Sequence, residues 1–287
     1  MTQLLVDPLP DRNSFNYYSN KQNMFLSGEE QALTEEYLHQ GYIIRSVADQ
    51  KALTWIRKKF MSLSTQELKV EDELSAENWL NQVHEYVPVE ELNDFRMKMI
   101  VGINAEPEFR EQYFNLARPY LNTLVGNELS MQLRINLSIQ FPGDESSLLP
   151  VHADTWSGDS PFEVDVWTPL VDCYGSKSMY ILSPEQNKRI EKTFALQTGD
   201  SSNDLYQSIC DDVKWLEVKY GEVVIFNQAL PHGNRVNAEN ETRWSMNCRF
   251  KSVFTPYGDK KLGEFFEPVT LRAASKAGME YKLPEIL

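Results

Sequence analysis

Four histidines occur in the 287-residue chain, and two of them, His152 and His232, stand in segments dense in acids, arginines and turn residues. The first segment, beginning at Leu148, reads LLPVHADTWSGDSPFEVDVW, so Asp154 follows His152 by two positions. The second reads FNQALPHGNRVNAENETRWSMNCRF and ends at Phe250. Two neutral imidazoles and one carboxylate on one face of a ferrous ion leave positions open for a chelating co-substrate and dioxygen. Residues i and i+2 of a strand point to the same side, so His152 and Asp154 can grip one ion from one strand end, with His232 brought alongside by a later strand. A His-x-Asp by itself is weak evidence, because a surface histidine ahead of a turn explains it as well. The residues beyond His232 add the weight.

From Arg243 to Phe250 the residues alternate strictly, with Arg243, Ser245, Asn247 and Arg249 on one side and Trp244, Met246, Cys248 and Phe250 on the other. Leu133–Phe141 repeats the pattern, with Leu133, Ile135, Leu137, Ile139 and Phe141 opposite Arg134, Asn136, Ser138 and Gln140. Each alone is compatible with an ordinary half-buried strand whose polar side meets solvent. Both are explained together by a barrel whose greasy outside is covered by helices and whose inside is a wet, hydrogen-bonding cavity.

The spacing of His152-x-Asp154, a distal His232, Arg243 eleven residues later and Ser245 two further on resembles the 2-oxoglutarate and iron(II)-dependent dioxygenase superfamily, in particular its phytanoyl-CoA-hydroxylase-like branch. Within that branch, HADTWSGDSPFEVDVWTPL with SMYILSP and LPHGNRVN is similar to oxygenases of carbohydrate and aminoglycoside biosynthesis clusters, of the streptomycin-pathway type. The resemblance covers Gln132 to Phe250. It implies a mainly β fold with a helical cover, namely a double-stranded β-helix (a jelly-roll, cupin-like barrel) with N-terminal helices packed on the outer sheet. It also implies His152, Asp154 and His232 as ligands of Fe(II), Arg243 paired with the distal carboxylate of 2-oxoglutarate, and Ser245 assisting. A planar guanidinium suits that task because it takes a carboxylate through two parallel hydrogen bonds. The activity implied is hydroxylation of an unactivated C–H bond with dioxygen, while 2-oxoglutarate becomes succinate and carbon dioxide. Related halogenases lack the carboxylate ligand, so Asp154 favours hydroxylation, or a desaturating or ring-forming variant.

The polar set Arg134, Asn136, Ser138, Gln140, Asn247 and Arg249 offers many donors and few greasy walls. It suits a sugar or sugar-derived metabolite of polysaccharide, lipopolysaccharide or antibiotic assembly better than a lipid, and Arg134 or Arg249 is a candidate partner for a sugar carboxylate or phosphate. Trp156, on the Ser-, Gly- and Asp-rich stretch after Asp154, is either a stacking platform for a sugar ring or simple packing. Tyr180 is a candidate hydrogen-bond partner of the co-substrate. Two other readings stand beside the oxygenase. A cupin-like sugar isomerase or epimerase would use the same barrel but has no need of Asp154 and Arg243 in this register. A non-catalytic binding protein on an oxygenase scaffold would usually have lost a ligand.

The elements that must carry these residues are set by the rest of the chain. Its length suits one domain, with residues 1–130 mainly helical cover, 131–254 the barrel core and 255–287 an extension. A net charge of −14 disfavours nucleic acid or an anionic membrane as a partner and leaves a small polar molecule, with a homo-oligomer open. Three cysteines without C-x-x-C spacing argue against a disulfide framework or a structural zinc site and fit the cytoplasm, as does the lack of a signal-peptide pattern or an apolar span.

Ser27-Gly28-Glu29-Glu30 reads as a capping box for a helix ending near Gly41. A short strand is expected at Tyr42–Arg45 and a helix capped by Asp49, whose Arg57, Lys58 and Lys59 fill a solvated face. More helices are expected at Ala76–His84, Pro88–Ile103 and Pro107–Leu124, with His39 and His84 as structural or surface histidines. Strands are expected at Phe162–Leu170, Ser178–Leu182, Lys214–Val218 and Glu222–Phe226. The polar stretch 184–212 interrupts the barrel as a lid-like insertion.

Overall fold

The computed structural model of the chain describes residues 25–70, 74–194 and 202–283. Helix α1 (Gly28–Gln40) opens with the expected capping box, in which Ser27 Oγ accepts from the Glu30 amide and the Glu30 carboxylate accepts from the Ser27 amide. It closes on Gly41, whose left-handed backbone turns the chain into β1 (Tyr42–Ser46). Asp49 caps α2 (Gln50–Leu68) by accepting from the amides of Lys51 and Ala52. Helices α3 (Ala76–Gln82), α4 (Leu92–Asn104) and α5 (Phe109–Leu124) complete the cover. The stretches expected to be helical up to His84 and from Pro88 are partly single 3-10 turns, Val83–Glu85 and Val89–Glu91.

The strands are β2 (Leu129–Gln132), β3 (Asn136–Gln140), β4 (Val164–Pro169), β5 (Tyr180–Ile181), β6 (Lys214–Trp215), β7 (Glu222–Phe226), β8 (His232–Gly233), β9 (Arg243–Ser252) and β10 (Phe266–Pro268). They form two antiparallel sheets. The larger runs β1-β7-β4-β9-β2-β10, with β3 also paired to β9, and the smaller runs β6-β5-β8. Strand pairing among the described residues does not close into a barrel, because the two sheets share no ladder. Both flanks contribute to the large sheet: β1 comes from the expected helical cover, and β10 comes from the C-terminal extension, where no strand was expected.

The alternation of β9 is realised. Trp244, Met246, Cys248 and Phe250 are 0–1% exposed and join Leu137, Ile139, Val166 and Ile225 in one core with the helices. Trp244 anchors it, with the rings of Phe60 and Phe95 edge-on to its own and its Nε1 donating to the Leu80 carbonyl at 2.9 Å. Arg57, expected in solvent, is buried: its guanidinium carbon lies 3.9 Å from the centroid of the Tyr220 ring, whose negative face attracts the cation. His84 lies against the sheet, its Nδ1 2.8 Å from Thr242 Oγ1, while His39 is exposed.

The polar insertion holds helices α6 (Pro184–Phe194) and α7 (Ser202–Ile209), and residues 195–201 at its centre lie outside the described residues. Helix α8 (Ala273–Glu280) ends the described chain. No helix among the described residues is long and apolar enough to cross a membrane.

Candidate metal centre

The two histidines are brought together by their own backbones. His152 and His232 form an antiparallel bridge, exchanging N–H···O bonds of 3.0 and 2.8 Å, so both side chains leave the same face and their ring centroids lie 4.3 Å apart. Gly233 permits this closeness, since a Cβ there would lie 2.7 Å from the Tyr180 hydroxyl and 2.8 Å from the Leu149 carbonyl. Asp154 follows not on a strand, as the i, i+2 spacing suggested, but at the start of a 3-10 turn, Asp154–Ser157, with its amide donating to the Gln228 carbonyl at 3.0 Å. One potential ligand atom from each of His152, Asp154 and His232 lies within 4.8 Å of the others.

The tautomers are set locally. Nδ1 of each imidazole donates to the carbonyl two residues earlier, Pro150 for His152 and Leu230 for His232, at 2.9 Å in both cases. A carbonyl can only accept, so each neutral ring directs its Nε2 lone pair into the site. His152 Nε2 lies 3.5 Å from Asp154 Oδ1. Two lone-pair donors at that distance are placed to share a cation, a proton or a metal.

The charges are arranged to match. Burial disfavours the imidazolium of His152, but the Asp154 carboxylate and the Pro150 carbonyl outweigh it and raise its pKa. Burial would raise Asp154 too, yet the hydrogen bond from His152 and the Arg249 guanidinium hold it well below the usual carboxylate range. Burial, with the positive charge of His152 behind it, lowers His232 to about 4, so this imidazole is a neutral lone-pair donor throughout the physiological range.

The triad opens into a cavity of about 250 Å³ between the two sheets. Every polar-face residue expected from β9 lines it: Arg243, Ser245, Asn247 and Arg249. The strand register explains how rows of side chains form its floor, with Asn136 and Trp167 flanking Asn247, and Asp165 beside Arg249.

Arg243 is buried to 3% exposure, donating through Nη1 to the Ser178 carbonyl at 2.9 Å and through Nη2 to Ser138 Oγ at 2.8 Å. Both partners are neutral, and burial lowers its pKa to about 10. Its Nε and the Ser245 hydroxyl are buried polar atoms with no hydrogen-bond partner among the described residues. A guanidinium with a spare donor, on the same strand face as a spare hydroxyl, has the chemistry to receive a carboxylate.

Four of the other expected site residues lie elsewhere. Arg134 is exposed in a bend before β3, which begins only at Asn136, so the alternation read from Leu133 was started three residues too early. Gln140 shares the face of Ser138 but sits beyond the cavity, donating to the Arg235 carbonyl at 2.6 Å. Trp156 is 46% exposed and outside the lining. Tyr180 faces away: its neighbour Met179 lines the cavity, and alternation turns the Tyr180 ring against Tyr206 and Trp215, with centroids at 5.1 and 5.3 Å. Arg249 does line the cavity, but Asp154 and Asp159 engage its guanidinium.

Two polar residues of the cavity escaped the sequence reading, Asn234, whose Oδ1 accepts from the Leu149 amide, and Asp165. Asp165 on β4 accepts from Asn247 Nδ2 at 2.7 Å, while burial, partly countered by Arg249, pushes its pKa up to about 7. Its signal was present, since Asp165 and Trp167 alternate with Val164 and Val166 in the same period as β9.

No protein-family model matches the chain, and no curated protein matches it. Among solved structures, the chain is similar to the non-heme monooxygenase ThoJ in complex with nickel, at 13% identity over 88% of this chain and 89% of that one, with a TM-score of 0.50. Looser alignments reach HygX from Streptomyces hygroscopicus with nickel and 2-oxoglutarate bound (13% identity, 81% and 89% covered, TM-score 0.47). They also reach the alpha-ketoglutarate-dependent carbocyclase SnoK from nogalamycin biosynthesis (18% identity, 85% and 97% covered, TM-score 0.44). At the level of fold, the chain is thus similar to a solved non-heme monooxygenase.

Proposed function

We propose that the protein is an iron(II)- and 2-oxoglutarate-dependent oxygenase of the phytanoyl-CoA-hydroxylase-like type, acting on a polar small molecule. The observation that carries this reading is the presence, in one cavity, of the His152, Asp154 and His232 donors and of a buried Arg243 with no anionic partner among the described residues. A donor set of two neutral imidazoles and one carboxylate fits ferrous iron, and the spare donors of Arg243 and Ser245 fit the distal carboxylate of the keto acid. The likeness in fold to ThoJ, a non-heme monooxygenase solved with nickel, points the same way. We take the two sheets, with the cavity between them, as the halves of a double-stranded β-helix.

Iron with bound 2-oxoglutarate supplies the oxidation of a C–H bond by dioxygen, with succinate and carbon dioxide as the co-products. The protein's own part is binding and orientation. His152 and His232 would present their Nε2 lone pairs, fixed by the carbonyls of Pro150 and Leu230. Asp154 would neutralise half of the metal's charge. Arg243, steadied by Ser138 and the Ser178 carbonyl, would fix one end of the keto acid. Trp167, Met179 and Phe226 give the cavity apolar walls that exclude water, and Asn136, Asp165 and Asn247 leave donors and acceptors for the substrate. That mixture suits a hydroxyl-rich molecule, and a sugar or sugar-derived metabolite is the substrate class we propose. The test is succinate release and oxygen uptake on sugars, sugar acids and aminoglycoside precursors with iron and 2-oxoglutarate. Turnover of a sugar supports the reading. A sugar altered without oxygen uptake or succinate release would identify a cupin-like isomerase or epimerase, and turnover of amino acids alone would overturn the substrate class.

A further inference from the structure

The two arginines of the cavity are held in opposite ways. Arg243 keeps a spare donor, whereas Arg249 directs both Nε and Nη2 at one oxygen, Asp154 Oδ2, at 3.2 and 3.0 Å. Its Nη1 lies 3.5 Å from Oδ1 of Asp159, a side chain with no exposed surface. Lys260 Nζ donates to the other oxygen of Asp159 at 2.8 Å. Beside both cations lies the Phe265 ring, 5.8 Å from the Arg249 guanidinium carbon and 4.8 Å from Lys260 Nζ. The other oxygen of Asp154, Oδ1, faces His152 Nε2 at 3.5 Å.

One carboxylate thus has its two oxygens assigned to different partners, Oδ1 to the ligand cluster and Oδ2 to the arginine. We propose that Arg249, held by Asp159, which Lys260 pairs in turn, is a positioning residue that confines Asp154 to coordination through a single oxygen. The inference rests on the metal-site reading above. A carboxylate free to rotate can bind a metal through both oxygens and take one more coordination position. Octahedral iron with three protein ligands has three positions left, and a chelating keto acid plus dioxygen need all of them.

The charges make such a clamp tolerable beside a divalent ion. Asp154, Arg249, Asp159 and Lys260 alternate in sign and sum to zero, so the cluster sets no uncompensated guanidinium against the metal. A purely structural ion pair would need no such division of the Asp154 oxygens.

Cobalt(II) is the probe, because its visible absorption reports coordination number and it binds without redox chemistry. We compare wild type, Arg249→Gln and Asp159→Asn for cobalt affinity by calorimetry, for the cobalt spectrum, and for 2-oxoglutarate affinity of the cobalt-loaded protein. The expected result is an altered spectrum in Arg249→Gln and a loss of 2-oxoglutarate affinity on the order of ten- to a hundredfold, with Asp159→Asn moving both the same way by less. If Arg249→Gln fails to fold, Asp159→Asn carries the test. Folded variants with unchanged spectra and with 2-oxoglutarate affinity within about twofold of wild type would reduce Arg249 to a structural partner and leave the metal site standing. Absence of cobalt binding by the wild type would instead overturn the metal-site reading itself.

Discussion

Asp154 and His152 form the point at which proton and metal compete. The Asp154 carboxylate and the Pro150 carbonyl raise the His152 pKa against the effect of burial, whereas His232, lowered to about 4, is a neutral ring above about pH 5, with its single proton on Nδ1. Metal binding must therefore displace one proton, from His152. The affinity for a divalent ion is expected to fall by about tenfold per pH unit once pH drops below the raised His152 pKa. Calorimetric titration with cobalt across about pH 5.5 to 8, a range that brackets an ordinary histidine pKa of about 6.5 and extends above it, checks this, and a flat profile or a two-proton slope would contradict it. Replacing His152 or Asp154 by Ala is expected to cost more than about a hundredfold in metal affinity, beyond what loss of an outer partner costs.

Asp165 makes a separate pH prediction for the metal-free protein. Its folded pKa, about 7, lies above that of a carboxyl in the unfolded chain. Its contribution to stability is therefore complete at low pH and is lost as pH rises through about 7, because the unfolded chain releases the proton first. Asp165→Asn should flatten the stability profile between about pH 4 and 7 and raise denaturation midpoints at and above about pH 7. A wild-type profile already flat over that window would show the carboxyl to be ionised in the fold.

At the scale of the element, β9 connects cover and cavity, with alternate residues serving each. Trp244→Ala is expected to cost about 3–5 kcal/mol, since it opens a cavity between Phe60 and Phe95 and leaves the Leu80 carbonyl without its donor. Denaturant unfolding of the metal-free protein measures it, and a loss under about 1 kcal/mol would mean the helices are not held through this side chain. This two-faced character was legible in the sequence, because a period of two needs only neighbouring residues to be seen. The same reasoning misplaced Arg134, where the pattern continued past the true start of β3, and Tyr180, where β5 is two residues long and shows no period. Strand β8, also two residues long, was found only through the chemistry of His232. The role of Arg249 lay beyond any local pattern, because its partner Asp154 is 95 residues away in the chain. The β10 strand was hidden by Pro268, a residue that local rules assign to loops.

At the scale of the whole molecule, the helices cover one face of the large sheet and leave the other to form the cavity with the small sheet. A cation, Arg243, is buried there at an energetic cost that a carboxylate ligand would offset. Metal-loaded protein should accordingly gain thermal stability with 2-oxoglutarate, by about 2.7 kcal/mol at a hundredfold excess over Kd. In Arg243→Met the shift at the same ligand concentration should fall to about 0.4 kcal/mol, with 2-oxoglutarate affinity lower by roughly two orders of magnitude, as expected when a buried charge pair loses one partner. An undiminished shift in that variant would place the keto acid elsewhere.

The most direct test is a crystal structure of the protein soaked with ferrous iron and 2-oxoglutarate without oxygen. It should show iron bound by His152 Nε2, His232 Nε2 and one oxygen of Asp154, with the far carboxylate of the keto acid on Arg243 and Ser245. Iron held by other residues, or a keto acid whose carboxylate leaves Arg243 untouched, would contradict the account.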